Sequence, residues 1–274
     1  MDYDITFAPC RGRMYQLIHV STLIPELDKL FESGLTGACK EYGDGQSQYR
    51  LCRSKGQLDV PVGTILGTTG GKVSSALDPE AYDLEGPSLG YANLARFRPQ
   101  DDLRLKVVRP FDDFSAAVRD SQLARMGGYD LQFRTAEPRC GEVMQDVFGT
   151  AQGNWFAGET GSQTNWSREL ALVHDNVDPD LAAISIGGMI TSHGVWLFPP
   201  ESSGLINRDF SAVTADGQIY CYQGGLTAQG SQAPTLFPGR LLISLTSDTE
   251  MSVEQRDGGC ADGAEFINPV TYKR

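Results

Sequence analysis

The sequence predicts a mainly β protein, with a β-sheet domain over residues 1–98, a short helical connector over 99–130 and an antiparallel β domain over 131–274. Apolar and polar residues alternate with the two-residue period of strands in many short segments. Glycine, with 31 residues, and turn pairs such as Asp216-Gly217 separate these segments. Helical periodicity is convincing at two places only. We therefore expect the last domain to be an antiparallel sandwich or a small barrel.

The first domain contains four strand-like segments and one helix. The strand-like segments are YDITFAP, RMYQLIHVSTL, LDVPVGTILGTTGG and ALDPEAYDL. The helix is expected in IPELDKLFESG, where Pro25 suits a first helical turn and Gly34 supplies a stop. Leu27, Leu30 and Phe31 recur at helical spacing between them.

The connector contains the second helical segment. Its pattern predicts a helix from Asp112 or Asp113 through Met126, ended by Gly127 and Gly128. Strand patterns then return in GNWFAG, ELALVHD, AAISIGGMI, GVWLFPP, QIYCYQ and RLLISLTSDTEMSVEQR.

Charge and hydropathy exclude several classes of partner. The chain carries 23 Lys and Arg against 35 Asp and Glu, a net charge of −12. That acidity argues against a nucleic acid or an anionic membrane surface as partner. The sequence has no apolar run of about 18 residues, so membrane insertion is not expected. The opening segment MDYDITFAPC also lacks the basic start and the apolar stretch of a secretory leader.

The six cysteines occur singly, without a Cys-x-x-Cys motif, which argues against zinc knuckles and thioredoxin-like chemistry. Cys39 and Cys52 bracket a short polar stretch that a disulfide worth about 3 kcal/mol could close. Six cysteines allow about 15 complete pairings, and four of them could equally be buried small apolar residues, namely Cys10, Cys140, Cys221 and Cys260. An even cysteine count favours an extracytoplasmic location, secreted or periplasmic.

Three motifs follow one another in the first domain: Ile18-His19-Val20-Ser21, the glycine-rich turn VPVGTILGTTGG and the segment ALDPEAYD. In this order they resemble the β-sheet core of the lysostaphin-type zinc endopeptidases, which cut peptidoglycan cross-links. The resemblance covers about residues 3–98. The glycine turn also occurs in lipoyl-type carrier barrels, but no lipoylated Asp-Lys-Ala turn is present here.

The resemblance assigns His19 to the histidine that assists catalysis in that family without binding zinc. The strand that carries the family's His-x-His pair corresponds to residues 77–83, which offer carboxylates and no histidine. The upstream His-x-x-x-Asp pair would have to precede residue 1. The resemblance therefore implies a degenerate domain without the catalytic zinc ligands, truncated at its N-terminus.

The densest group of potential ligands lies in the second half, in the segment HDNVDPD that begins at His174. On a strand, His174, Asn176 and Asp178 would share one face. With His193 from a neighbouring strand they could bind zinc, and an oxygen-only set from the segment could hold calcium. The same residues with Asp175 could form the catalytic site of a hydrolase acting on esters, amides or phosphoesters. The alternative is a strand that ends in a solvated Asx turn, with no site at all.

Aromatic residues of the second half offer a surface for sugars, because aromatic faces pack on the apolar faces of sugar rings. We expect Trp155 and Trp196 to fill the core, since both lie in apolar strands, and Trp166 to be the better exposed candidate. Tyr220 and Tyr222 are further candidates.

Two functions remain open from the sequence. The first is an extracytoplasmic binding or structural protein without cofactor, whose partner is cell-wall glycopeptide, polysaccharide, another protein or a small-molecule ligand. The second is a hydrolase with a divalent metal, zinc or calcium, at His174, Asp175, Asp178 and His193.

Overall fold

The computed structural model describes residues 2–34, 39–43, 48–70, 77–94, 103–124, 133–158, 166–227 and 234–274. The chain divides into two compact units, Met1–Glu85 and Gly86–Arg274. Strands dominate the described parts of both units, which confirms the mainly β fold class. The boundaries predicted at residues 98 and 130 lie outside the described residues. No helix in the described part of the chain is long and apolar enough to cross a membrane.

The first unit is built around one long strand. Its elements are β1 (Tyr3–Cys10), β2 (Arg13–Leu23), α1 (Pro25–Gly34), β3 (Cys39–Gly43), β4 (Gln48–Cys52), β5 (Gly67–Thr69) and β6 (Asp78–Asp83). The central strand β2 pairs antiparallel with β1, β5 and β6. The helix α1 begins and ends at the two residues that the sequence indicated.

A separate hairpin of β3 and β4 places Cys39 directly opposite Cys52. The two residues form a disulfide, the pairing that the sequence left open for the short polar stretch between them.

The second unit starts with short elements, β7 (Val107–Val108) and α2 (Ala116–Leu123). The helix α2 begins later than the predicted start at Asp112 or Asp113, because Phe114 and Ser115 have extended backbones and interrupt the helical run. The predicted end at Met126 lies outside the described residues.

The other strands described in the second unit form a nine-stranded antiparallel sheet. Its strands are β8 (Gly153–Ala157), β9 (Glu169–His174), β10 (Ala182–Ile186), β11 (Gly194–Phe198), β12 (Tyr220–Gln223), β13 (Leu226–Thr227), β14 (Arg240–Ser247), β15 (Glu250–Arg256) and β16 (Val270–Lys273). They are ordered β12-β14-β15-β16-β8-β9-β10-β11-β13. The last strand, β16, therefore returns to pair with the first, β8.

This sheet curls on itself. The rings of Phe198 on β11 and Tyr222 on β12 lie 5.6 Å apart, although these strands stand near opposite ends of the strand order. Two residues, Gly224 and Gly225, connect the edge strand β12 to the edge strand β13. The antiparallel second half is thus confirmed, as an open barrel rather than two facing sheets.

The concave face of the sheet holds the core. Trp155 and Trp196 are buried there, as predicted. Tyr220 and Tyr222 are also buried in this core, so neither offers a face to a sugar. The convex face carries a smaller cluster in which Cys221 and Cys260 form the second disulfide.

Candidate functional site

The turn between β9 and β10 contains the predicted ligand group and is held together by its own carboxylates. Oδ2 of Asp175 accepts hydrogen bonds from the backbone N–H of Val177 at 3.0 Å and of Asp178 at 2.7 Å. Oδ1 of Asp178 accepts one from the backbone N–H of Asp180 at 3.2 Å. This is the Asx-turn arrangement that the sequence left open beside the metal site.

His174 is the last residue of β9, and both of its ring nitrogens face acceptor oxygens. Nδ1 lies 2.8 Å from the carbonyl oxygen of Pro179, and Nε2 lies 3.1 Å from Oδ2 of Asp209. Both contacts are within hydrogen-bonding distance, so the ring is held between the turn and Asp209. Neither nitrogen is directed to an open position where a substrate or a metal would sit.

Asp209 is a residue that the sequence reasoning missed. It precedes a short 3-10 helix, Phe210–Ala212, and its Oδ1 accepts hydrogen bonds from the backbone N–H and the hydroxyl of Ser211 at 2.9 and 2.6 Å. Burial alone would raise the pKa of Asp209, but the bonds from Ser211 and the charge of His174 lower it. The pair of His174 and Asp209 therefore fastens the β11–β12 connection to the end of β9. The sequence signal was the Asp-x-Ser spacing of a helix N-cap.

His193 lies apart from this turn. It is exposed in the connection between β10 and β11, next to Gly194, which pairs with Ile186. His174 pairs with Ala182 at the other end of β10. Ala182 and Ile186 are four positions apart along β10, about 13 Å. The structure does not bring His193 to His174 and Asp178, and the described residues contain no group of three or more His, Cys, Asp or Glu able to hold a metal.

His19 lies on β2 with a left-handed backbone, at a φ of 68°. Its Nδ1 is 2.8 Å from Oδ2 of Asp2, and its Nε2 is 3.7 Å from Oδ2 of Asp78 on β6. The hydrogen bond with Asp2 raises the pKa of His19, against a smaller opposing effect of burial. The role that the family resemblance assigns to His19 stays a prediction.

A second polar centre, Arg274, was not predicted from the sequence either. Its buried guanidinium stacks on the ring of Trp155, with 4.2 Å between its central carbon and the ring centroid. It donates to the carbonyl oxygens of Thr150, of Gln152 at 3.0 Å and of Val147 at 3.3 Å. Its Nε also donates to the carbonyl oxygen of Asp248 at 3.3 Å. One side chain thus ties the turn before β8 to the turn between β14 and β15.

Comparison with known proteins adds no relative. No protein-family model matches the chain, and no curated protein or solved structure does. The likeness to lysostaphin-type endopeptidases rests on the sequence motifs alone.

Proposed function

We propose that this protein is an extracytoplasmic, non-enzymatic binding protein whose ligand is cell-wall glycopeptide or polysaccharide. The observation that carries the proposal is the use of the reactive side chains in the second unit. His174 and Asp175 bond to the turn beside β9, and Asp209 caps a short helix while it pairs with His174. These bonds hold the loops in place, and this structural role accounts for the side chains without a catalytic one.

Two further properties support an extracytoplasmic location and a ligand of low negative charge. The two disulfides, Cys39–Cys52 and Cys221–Cys260, are of the kind that persists in oxidising compartments. The net charge of −12 disfavours polyanions by long-range repulsion. Sugar chains of the cell wall lie outside the cytoplasm, and they present hydroxyl and acetamido groups along their length. They therefore agree with the proposed location and with the acidic charge of the protein.

The proposal is tested by co-sedimentation of the full chain with purified, protein-free peptidoglycan sacculi. The supernatant of the same tubes is assayed for released sugars and peptides. We expect saturable binding without release of soluble fragments. Fragment release that disappears in His174→Ala would show a hydrolase instead, and absence of the protein from the pellet at all concentrations would overturn the binding function.

A further inference from the structure

The turn before β8 displays an aromatic side chain to solvent. Val147 and Thr150 close this turn through hydrogen bonds from the N–H and hydroxyl of Thr150 to the carbonyl oxygen of Val147, at 3.2 and 2.9 Å. Gly149 adopts a φ of 77°, which the turn requires. At its tip, Phe148 is 65% exposed and Val147 38%. The ring is therefore accessible to a ligand, and covering its apolar surface would gain free energy.

Arg274 anchors the backbone of this turn. The guanidinium donates to carbonyl oxygens on both sides of Phe148, those of Val147 and Thr150, and stacks on the buried Trp155. The ring of Phe148 is thus held on a fixed backbone before any ligand arrives. A ligand that packs on a fixed ring loses less free energy to ordering than one that must immobilise a mobile loop.

A second turn, between β14 and β15, contacts the first. The same guanidinium donates to the carbonyl oxygen of Asp248, and the backbone N–H of Arg274 donates to the carbonyl oxygen of Thr249 at 3.2 Å. A methyl group placed on Gly149 would lie 3.7 Å from Oδ1 of Asp248, so the two turns are in contact. Ser247, Asp248 and Thr249 are all exposed.

We propose that these two turns form the glycan-contacting surface of the protein, with Phe148 packing on the face of a sugar ring. Asp248 and the hydroxyls of Ser247 and Thr249 would bond to the sugar's hydroxyl groups. The proposal rests on the binding function proposed above and names its site. We call Phe148, Ser247, Asp248 and Thr249 the aromatic platform.

The chemistry of the aromatic platform favours a glycan over a protein. Its apolar part is the single ring of Phe148, and its other members carry a carboxylate and two hydroxyls. Aromatic rings pack on the C–H faces of sugars, and carboxylates accept hydrogen bonds from paired sugar hydroxyls. A stable protein interface covers about 800 Å² on each partner around a core depleted in charge, which this combination does not supply.

The test compares two phenylalanine variants in co-sedimentation with protein-free sacculi and with chitin beads. Phe148→Ala removes the ring of the platform, and Phe133→Ala, at a second exposed phenylalanine outside both turns, is the matched control. We expect about a tenfold weaker affinity for Phe148→Ala, as is typical of the loss of one stacked ring. The control should bind as the wild type does, and both variants should keep the wild-type melting temperature.

A third variant, Phe148→Trp, tests the aromatic platform through retained binding rather than through a loss of binding. A tryptophan retains the stacking surface, so we expect wild-type binding together with a change in fluorescence when soluble chitin oligosaccharides are added. Equal binding of Phe148→Ala and wild type would overturn the aromatic platform and leave the binding function standing. Absence of wild-type binding to every glycan would overturn both. Binding to protein-containing envelopes alone, lost in Phe148→Ala, would place a protein there and also overturn the glycan site.

Discussion

Three arginines of the second unit act as backbone clamps. Arg134, Arg240 and Arg274 are buried, and each donates to carbonyl oxygens of irregular segments. Arg134 bonds to Pro138 at 2.6 Å and to Asn176 at 2.9 Å. A buried guanidinium requires acceptors for its N–H groups, and carbonyl oxygens at the ends of the curled sheet supply several of them, although Nε of Arg240 has no acceptor among the described residues. These arginines therefore contribute to order at the ends of the barrel rather than to surface charge.

Arg274→Ala should destabilise the protein strongly. The substitution removes charged hydrogen bonds, leaves the carbonyl oxygen of Thr150 without its donor and exposes part of Trp155. We expect a loss of about 3 kcal/mol in the free energy of unfolding by urea. The neighbouring Lys273 forms an exposed ion pair with Glu250 at 3.2 Å. Lys273→Ala is therefore the control, with a loss below about 1 kcal/mol; equal losses would contradict the clamp.

Asp209 makes the stability depend on pH in the acid range. Its pKa is lowered in the folded protein despite the opposing effect of burial, because Ser211 and His174 stabilise the carboxylate. The stabilisation is present above the unfolded-state pKa, about 3.9, and is lost as the pH falls through the folded value. Urea unfolding between about pH 2 and pH 6 should show a shallower acid decline in Asp209→Asn than in the wild type. An identical decline in both proteins would show that this carboxylate is not the cause.

The sequence predicted which residues of the second half carry polar chemistry but not what they do. The segment at His174 was identified, and both its metal-binding and its Asx-turn interpretations were consistent with the pattern. The distinction depends on Asp209, which is 35 positions further along the chain and meets His174 only through tertiary structure. Phe148 gave no signal, because exposure of one phenylalanine in a turn does not follow from periodicity.

At the level of elements, the predictions succeeded where local chemistry dominates. The helix α1 follows from Pro25 and Gly34, and the strands β9, β10 and β11 follow from short apolar runs. The helix α2 was predicted too long because Phe114 and Ser115 adopt extended backbones inside a helical composition. Helix propensity is a weak indicator of where a helix begins, because the backbone conformation of one or two residues decides the boundary.

The two disulfides should differ in access to reductant. Cys221 is 2% and Cys260 8% exposed, whereas the hairpin cysteines Cys39 and Cys52 are partly exposed. Attack by a thiolate requires access to a sulfur. Graded dithiothreitol followed by alkylation and peptide mass spectrometry should label the hairpin pair first, in the folded protein, and Cys221 and Cys260 only under denaturing conditions. Simultaneous labelling of all four would contradict the observed burial.

The Cys221–Cys260 disulfide should also contribute more to stability. It closes a segment with a sequence separation of 39, against 13 for Cys39–Cys52. Loop-closure entropy gives about 4 kcal/mol for the longer segment and about 3 kcal/mol for the shorter. Cys221→Ser with Cys260→Ser should therefore lower the free energy of unfolding of the second unit by more than the matched double substitution lowers that of the first.

At the level of the whole molecule, the strand order of the barrel is what the sequence did not provide. The C-terminal strand β16 pairs with β8, more than 100 positions earlier, and β12 and β13 lie at opposite edges although two glycines join them. Pairing between distant strands depends on how their side chains pack in the folded core. A local sequence pattern does not encode it. The mainly β class was predictable because it depends on local alternation, which the barrel preserves.

The most direct test of the account compares His174→Ala with His193→Ala in stability and in turnover. A panel of ester, phosphoester and peptide substrates, and the metal content by inductively coupled plasma mass spectrometry, are measured on the wild type and both variants. We expect no turnover in any of the three proteins, and a lower urea midpoint in His174→Ala only, since His174 bonds to Pro179 and Asp209 while His193 is exposed. Wild-type turnover with bound metal, both lost in His174→Ala, would contradict the account and establish a hydrolase.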